Sequence, residues 1–266
     1  MQTHVKNFNF LIKQIIMIDI RLSENLELMQ SLPSKSIDLI YCDILYGTGR
    51  KFKDYQDLKP KREIIEEHYI PRIKEMHRLL KDTGSIYLQM DIKINHWLRC
   101  ILDDVFGYQN FLNEIIWYYK NASRGKNNFA KAHDNILWYS KTNKYLFNRN
   151  KILVPFESNM TKWRYEKGEQ KEKEMPNGKT PDNVFVLSSL NSMSKEHTNY
   201  DTQKPKALIE RIIKASSNVG DTVGDFYGGS FTTAEVCKDL KRNFIGCDIS
   251  ENGVNIGLKR CGLNCS

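Results

Sequence analysis

The sequence predicts an α/β protein built on a doubly wound parallel sheet, with a basic region inserted into it. Apolar runs bounded by turn residues alternate with segments of helical periodicity, which is the pattern of such a sheet. The alternation stops between residues 120 and 196, where basic residues collect, and then resumes. We therefore divide the chain into one half of the sheet domain at 1–119, a binding region at 120–196 and the second half at 197–266.

The N-terminal half gives the clearest alternation. Strands are predicted at 14–20, 37–43, 85–90 and 113–119, and helices at 23–29, 63–80 and 95–106. Ser23 is a candidate N-cap for the first helix, and Pro71 should kink or divide the second. The tripeptide Asp82-Thr83-Gly84 is expected to form a turn.

The central region differs from the rest in its charge. It holds 15 Lys or Arg against 8 Asp or Glu, which is nearly all of the chain's net charge of +8. A strand is predicted at 135–140, and Lys162-Trp163-Arg164-Tyr165 then alternates cations with aromatic rings. Basic side chains contact phosphates and aromatic rings stack on bases, so we expect this region to bind a polyanion. A solvated basic surface is the alternative.

The C-terminal third has the layout of a nucleotide cradle. A helix is predicted at 206–216, after Pro205, and strands at 222–225 and 243–248 flank a glycine-containing turn and a helix at 232–240. Glycines let the backbone approach a ligand, and the helix N-terminus offers free N–H groups. Asp248, at the end of the second strand, can accept hydrogen bonds from ribose hydroxyls. Its alternative role is that of a turn residue or helix cap.

A second candidate site follows the apolar run that starts at Ile37. The run ends in Asp43, and Tyr46 and Gly47 come three and four residues later. In open α/β sheets, ligands bind at the carboxyl ends of the strands. A carboxylate and an aromatic ring on one such loop suit a planar substrate that carries an amino group. The alternative is an ordinary strand-end Asp with a packing Tyr.

Cysteine spacing and hydropathy narrow the cellular setting. The six cysteines form no CxxC pair and no zinc spacing with histidine, so we expect reduced thiols, a cytoplasmic protein and no bound metal. The apolar stretch at 10–20 contains Lys13, Gln14 and Asp19 and is too short for a membrane span. We expect no membrane association.

Three segments resemble motifs of the amino-group DNA methyltransferases, in the order of their β class. Asp43-Ile44-Leu45-Tyr46 resembles the catalytic Asp-Pro-Pro-Tyr motif, with both prolines replaced. The segment 225–233 is similar to the Asp-Pro-Phe-x-Gly-Ser-Gly-Thr-Thr motif that holds S-adenosylmethionine, with Phe231 in place of its second glycine. The segment 200–205 resembles Tyr-Pro-Thr-Gln-Lys-Pro, and 23–27, 113–117 and 133–137 also look like family segments.

The resemblance implies a Rossmann-like, S-adenosylmethionine-dependent enzyme that methylates adenine N6 in a base flipped out of double-stranded DNA. It implies Asp43 and Tyr46 as catalytic residues. It also implies a set of cofactor-binding residues: Thr202, Gln203, Lys204, Asp225, Tyr227, Gly228, Gly229, Ser230, Thr232 and Asp248. The implied target-recognition region is 120–196. A homodimer and a cognate restriction endonuclease are possible partners by the same resemblance.

Three alternatives stay open at this point. A catalytically impaired homologue would bind DNA or partner an active modification enzyme, because Ile44 and Leu45 lack the fixed φ angles of proline. Cytosine N4 is the second target that such enzymes methylate. An unrelated nucleotide-binding α/β enzyme is the third.

The loop at 47–60 is expected to be a lid, a DNA-contacting loop or a simple connector.

Overall fold

The computed structural model describes residues 16–120, 126–156, 178–191 and 193–264. Its strands form one sheet of eight in the order β1-β8-β7-β2-β3-β5-β4-β6. They are β1 (Ile18–Leu22), β2 (Ile37–Asp43), β3 (Leu80–Met90), β4 (Phe111–Tyr118), β5 (His133–Ser140), β6 (Val184–Val186), β7 (Thr222–Asp225) and β8 (Asn243–Asp248). All neighbours are parallel except β5, which runs antiparallel to β3 and β4.

Helices cover both faces of this sheet, as expected for a doubly wound fold. They are α1 (Asn25–Ser31), α2 (Arg62–Leu79), α3 (Asn95–Phe106), α4 (Lys206–Ser216), α5 (Thr232–Asp239) and α6 (Glu251–Cys261). The first three pack their buried side chains into one apolar cluster with the sheet, and the last three into a second cluster. The prediction of a doubly wound α/β sheet is confirmed.

The order of the central strands creates the crevice in which a ligand can bind. β2 and β7 lie side by side, and the chain leaves them in opposite directions, from β2 to β3 and from β7 to β8. Crossovers that diverge in this way leave an opening at the carboxyl ends of the two strands. Asp43 is the last residue of β2 and Asp225 is the last residue of β7, so both border this opening.

Several predicted elements are confirmed with their boundaries, namely the helices at 95–106 and 206–216 and the strands at 222–225 and 243–248. Others need correction. The N-cap of α1 is Glu24, whose carboxylate accepts the amides of Leu26 and Glu27, and not Ser23. The expected turn at 82–84 lies inside β3, where its pairing with β2 shifts register. The helix α6 had no counterpart in the prediction.

Pro71 was expected to kink or divide α2, and the structure shows that the helix is not divided. Pro71 lacks an amide hydrogen, yet the helix continues from Arg62 to Leu79. The guanidinium of Arg72 donates to the carbonyl of His68, 2.9 Å away, in the turn before the proline. Five buried side chains of α2 also hold it against the sheet: Ile65, Tyr69, Ile73, Met76 and Leu79. Tertiary packing therefore outweighs the local cost of the proline.

The central region contributes to the sheet as well as to the surface. β5 and β6 both fall between residues 120 and 196, and they pair with strands of the first half. The aromatic and basic run at 162–165 lies outside the described residues. Every helix within the described ranges is too short or too polar to span a bilayer.

Candidate active site

A cavity of about 250 Å³ opens at the carboxyl ends of β2 and β7. All the residues that the sequence singled out for catalysis or cofactor binding line it, from both halves of the chain. They are Asp43, Tyr46, Thr202, Gln203, Lys204, Asp225, Tyr227, Gly228, Gly229, Ser230, Thr232 and Asp248. The fold therefore brings the three motif segments and Asp248 together, although up to 205 positions separate these residues in the sequence.

Asp43 and Tyr46 both line the cavity and contact each other. The Tyr46 hydroxyl lies 2.9 Å from Asp43 Oδ1, and the Lys204 ammonium donates to Asp43 Oδ2 at 2.5 Å. The ammonium also lies 5.1 Å from the centroid of the Tyr46 ring. Burial raises the pKa of Asp43 above its ordinary value, and the charge of Lys204 opposes that rise. Lys204 therefore acts on the Asp43 carboxyl group from within the cavity.

Two further side chains, which the sequence did not single out, extend this contact into the sheet. The Tyr46 hydroxyl lies 2.6 Å from Oδ2 of Asp134, on β5. Gln89, on β3, donates to the same oxygen at 2.9 Å and accepts from the Tyr41 hydroxyl at 2.7 Å. Asp134 belongs to the segment 133–137, whose likeness to the family was noted without a role. Gln89 carried no signal in the sequence.

The loop that lacks both prolines is held by other groups. The amide of Ile44 donates to the carbonyl of Gln89 at 3.1 Å, a hydrogen bond that proline could not make. The hydroxyl of Tyr69 donates to the carbonyl of Leu45 at 2.8 Å. Among the described residues, the Ile44 carbonyl has no such partner. It remains available to accept a hydrogen bond from a substrate.

A buried carboxylate fixes the residues that follow this loop. Asp57 accepts hydrogen bonds from the amides of Gly47, Thr48 and Leu58 at 2.7–3.0 Å, and from the Thr48 hydroxyl. Its side chain is only 3% exposed. A buried charge is stable only when its hydrogen-bonding capacity is used, and here it is. The sequence did not single out Asp57.

The glycine turn is organised by the two carboxylates that flank it. Asp225 accepts from the Tyr227 amide at 3.1 Å and from the Thr233 hydroxyl at 2.6 Å, and burial raises its pKa to about 7. Asp248 accepts from the amides of Gly229 and Ser250, both at 2.8 Å. Both acids thus shape the turn, and Asp248 also lines the cavity beside it.

Phe231, which replaces a family glycine, does not obstruct the cavity. It adopts the left-handed conformation, with φ of +54°, which glycine favours. Its side chain is fully buried in the apolar cluster of the C-terminal helices, edge-on to Phe244 and above Gly228 and Gly257. The backbone therefore keeps the turn that glycine would give, and the ring lies in the apolar core and not among the residues that line the cavity.

The remaining predicted segment, 202–204, has a left-handed residue and is held by side-chain hydrogen bonds. Thr202 also has a positive φ, of +64°. The Gln203 side chain accepts from the amide and hydroxyl of Thr198 and donates to the carbonyl of Glu196. The Gln203 side chain thus connects the two ends of the loop at 196–203 through hydrogen bonds.

The cavity is strongly acidic. Among the described residues, six acidic side chains line it, those of Glu24, Asp43, Asp57, Asp201, Asp225 and Asp248, against the single ammonium of Lys204. His68 adds no charge at neutral pH, because burial and the nearby Arg72 lower its pKa to about 4. This set suits a cationic ligand with hydroxyl groups, which describes S-adenosylmethionine with its sulfonium, ammonium and ribose. The described residues hold no cluster of three His, Cys, Asp or Glu side chains that could bind a metal.

The loop at 47–60 covers the cavity. Phe52 and Tyr55 stack on each other, with ring centroids 4.7 Å apart, and line the cavity. Asp54 accepts hydrogen bonds from Ser250, at 3.3 Å, and from Asn252, at 3.1 Å, near the start of α6. Of the three alternatives for this loop, the contacts favour a lid.

Cys42 lies next to the site but is not a nucleophile. It is fully buried, its sulfur accepts the amide of Phe226 at 3.3 Å, and burial raises its pKa well above the ordinary thiol value. The five cysteines within the described residues are free thiols.

Known proteins share both the sequence pattern and the fold. The model of the N6/N4 DNA methylase family matches residues 37–259. The chain is 33% identical over 239 residues to the Type II methyltransferase M.HpaI of Haemophilus parainfluenzae, with 90% of this chain and 72% of that protein covered. It is 30% identical over 234 residues to the DNA adenine methyltransferase YhdJ of Escherichia coli K12, with 87% and 78% covered.

Solved structures give the same result for the fold. The cytosine-N4-specific PvuII DNA methyltransferase has a TM-score of 0.69 at 20% identity and covers 92% of this chain and 86% of its own. The M1.HpyAVI complex with S-adenosylmethionine has a TM-score of 0.61 at 22% identity, with 93% and 100% covered. The sequence matches, together with the fold and the cavity, show that the chain belongs to the N6/N4 DNA methylase family and is an S-adenosylmethionine-dependent DNA methyltransferase.

Proposed function

We propose that this enzyme methylates N6 of adenine at a specific site in double-stranded DNA, after the base flips out of the duplex. The observation that carries the proposal is the meeting of Asp43 and Tyr46 with the glycine turn and Asp248 in one cavity. Base flipping is required because the exocyclic nitrogen of a stacked base is not accessible to an enzyme cavity.

The residues of the Asp43 loop orient the amino group. The Asp43 carboxylate and the Ile44 carbonyl accept its two N–H groups, which directs the nitrogen lone pair toward the methyl donor. The Tyr46 ring provides a face on which the base stacks. S-Adenosylmethionine supplies the methyl group from its sulfonium. Most of the rate gain comes from proximity and orientation, so the fixed position of this loop matters more than any single charge.

The cofactor half of the cavity binds the ribose and the charged end of the methyl donor. Two lone pairs of the Asp248 carboxylate accept the amides of Gly229 and Ser250, and the others can accept ribose hydroxyls. Gly228, Gly229 and Ser230 allow the backbone to lie close to the ligand. Lys204 was expected to bind the cofactor, and its contact with Asp43 supports a role at the catalytic carboxylate instead.

The rest of the proposal concerns partners. We assign DNA contact to the region 120–196, whose basic excess suits phosphates, and to the basic lid at 47–60. The names of Type II relatives support a restriction-modification setting with a cognate endonuclease, and a homodimer fits the same setting. Free thiols at the described cysteines are consistent with the cytoplasm.

Adenine is preferred over cytosine on two grounds. An Asp at position 43 resembles the adenine-specific members of the family, and the relative YhdJ is named a DNA adenine methyltransferase. The likeness to the cytosine-N4-specific PvuII enzyme, at 20% identity, concerns the fold alone.

Transfer of a labelled methyl group from S-adenosylmethionine to unmethylated DNA tests the proposal. The DNA is digested to nucleosides, and label in N6-methyladenine is expected from the wild type and is absent from Asp43→Ala. Asp104→Asn, at an exposed position outside the cavity, is the control variant. Label in N4-methylcytosine would replace the adenine assignment. Bound DNA without any label would favour the catalytically impaired homologue.

A further inference from the structure

The Tyr46 hydroxyl stands between two carboxylates but has only one proton to donate. Asp134 Oδ2 lies 2.6 Å from it and Asp43 Oδ1 lies 2.9 Å from it. A hydroxyl can donate to one acceptor at full strength, and the shorter O···O distance identifies Asp134 as that acceptor. Asp43 Oδ1 then faces a lone pair of the hydroxyl oxygen and no proton.

The groups behind Asp134 fix the direction of these hydrogen bonds. Tyr41 can only donate to Gln89 Oε1, so the amide of Gln89 must present its N–H group to Asp134. Asp134, Gln89 and Tyr41 are all buried, with exposures of 6%, 0% and 1%. Asp134 thus accepts hydrogen bonds from both sides, from Tyr46 and from Gln89.

We propose that Asp134 is a positioning residue for methyl transfer, which accepts the hydrogen bond of the Tyr46 hydroxyl and so leaves Asp43 Oδ1 free for the target amino group. It acts in two ways. It holds the phenol ring in one plane, against which the base can stack. It also prevents the hydroxyl from occupying the lone pair that the substrate N–H needs. The predicted effect on kcat rests on the proposed function. The hydrogen bond between Tyr46 and Asp134 does not depend on it.

Carbon-13 NMR of the protein labelled at the tyrosine ζ carbon tests the hydrogen bond without any substrate. The Tyr46 signal is assigned by its absence in Tyr46→Phe. We expect it to shift in Asp134→Ala and to return toward the wild-type position in Asp134→Asn, whose amide oxygen still accepts a hydrogen bond. A Tyr46 signal that is unchanged in Asp134→Ala but shifts in Asp43→Asn would show that the hydroxyl donates to Asp43 instead. That result would overturn the proposal.

Steady-state kinetics test the positioning role. Asp134→Ala should lower kcat by about tenfold to a hundredfold, the range expected for a misplaced reacting group. KM for S-adenosylmethionine should change by no more than about twofold, because Asp134 is not among the residues that line the cavity. Asp134→Asn should recover most of kcat. A kcat for Asp134→Ala equal to that of the wild type would refute the role.

A double-mutant cycle separates positioning from a general loss of structure. Adding Asp134→Ala to Tyr46→Phe should lower kcat little further, since both variants remove the same hydrogen bond. Effects that multiply would contradict the proposal. If the wild type transfers no methyl group, the proposed function fails, whereas the NMR result still decides whether Asp134 holds Tyr46.

Discussion

Replacing Phe231 by the glycine of the family motif should destabilise the protein and leave its cofactor affinity unchanged. The position has a left-handed φ of +54°, and the side chain is fully buried against Phe244 in the C-terminal apolar cluster. The two features have opposite consequences for a Gly substitution. Glycine relieves the backbone strain of the left-handed conformation, but it also removes a buried aromatic ring.

The loss of the ring outweighs the relief. Deleting a buried Phe side chain costs about 3–5 kcal/mol of unfolding free energy. The left-handed conformation costs a residue with a Cβ roughly 1–2 kcal/mol, which glycine recovers. Phe231→Gly should therefore lower the unfolding free energy by about 1–4 kcal/mol. For a chain of this size, that loss corresponds to a fall in Tm of roughly 2–16 °C.

Urea denaturation and calorimetric titration with S-adenosylmethionine measure the two effects. Phe231→Ala is the matched control, because it keeps the strain and should be about 1–2 kcal/mol less stable than Phe231→Gly. Phe244→Ala removes a comparable ring without any change of strain. We expect the cofactor Kd of Phe231→Gly to stay within about threefold, or 0.7 kcal/mol, of the wild type. A tenfold gain in affinity would show that the ring does obstruct the cofactor turn.

Three further predictions follow from buried charges. Asp57→Ala should lower the unfolding free energy by about 2–4 kcal/mol and reduce kcat, because buried amides lose their acceptor; chemical denaturation and methyl-transfer assays measure this. Asp225 has a folded-state pKa of about 7, above the unfolded value of about 3.9. The unfolding free energy of the wild type should therefore fall relative to that of Asp225→Asn as the pH rises from about 4 to 7. Urea denaturation across that pH range measures the difference. Lys204→Met removes the charge that opposes the rise in the Asp43 pKa, so the acid limb of the pH–kcat profile should move to higher pH.

The sequence was sufficient to predict the frame of the site. Buried strands appear as apolar runs, and the residue at the carboxyl end of each run marks the edge where ligands bind, as Asp43 and Asp248 do. Helices with a clear apolar stripe, such as the one that starts at Lys206, were also predictable to their boundaries. These features depend on local periodicity, which the sequence contains.

What the sequence could not predict depends on pairing between distant strands. Asp134 meets Tyr46 only because β5 inserts antiparallel between β3 and β4, a register that no local pattern sets. Gln89 resembled any polar residue at the end of a strand, and only its neighbours Tyr41 and Asp134 give it a function. The orientation of Phe231 likewise follows from one backbone angle and not from residue type.

The missing prolines illustrate the same distinction. Prolines fix a loop through their own φ angles, so their replacement by Ile44 and Leu45 predicted a looser catalytic loop. In the folded protein the constraint comes from outside the motif. The Ile44 amide is held by the end of β3, the Leu45 carbonyl by Tyr69, and the following turn by Asp57. Three separate contacts restrict the motion of this loop, as two prolines would. The Ile44 carbonyl still has no hydrogen-bond donor near it among the described residues. The departure from the family motif is therefore compatible with an active enzyme, and Asp57 is the residue on which that compatibility most depends.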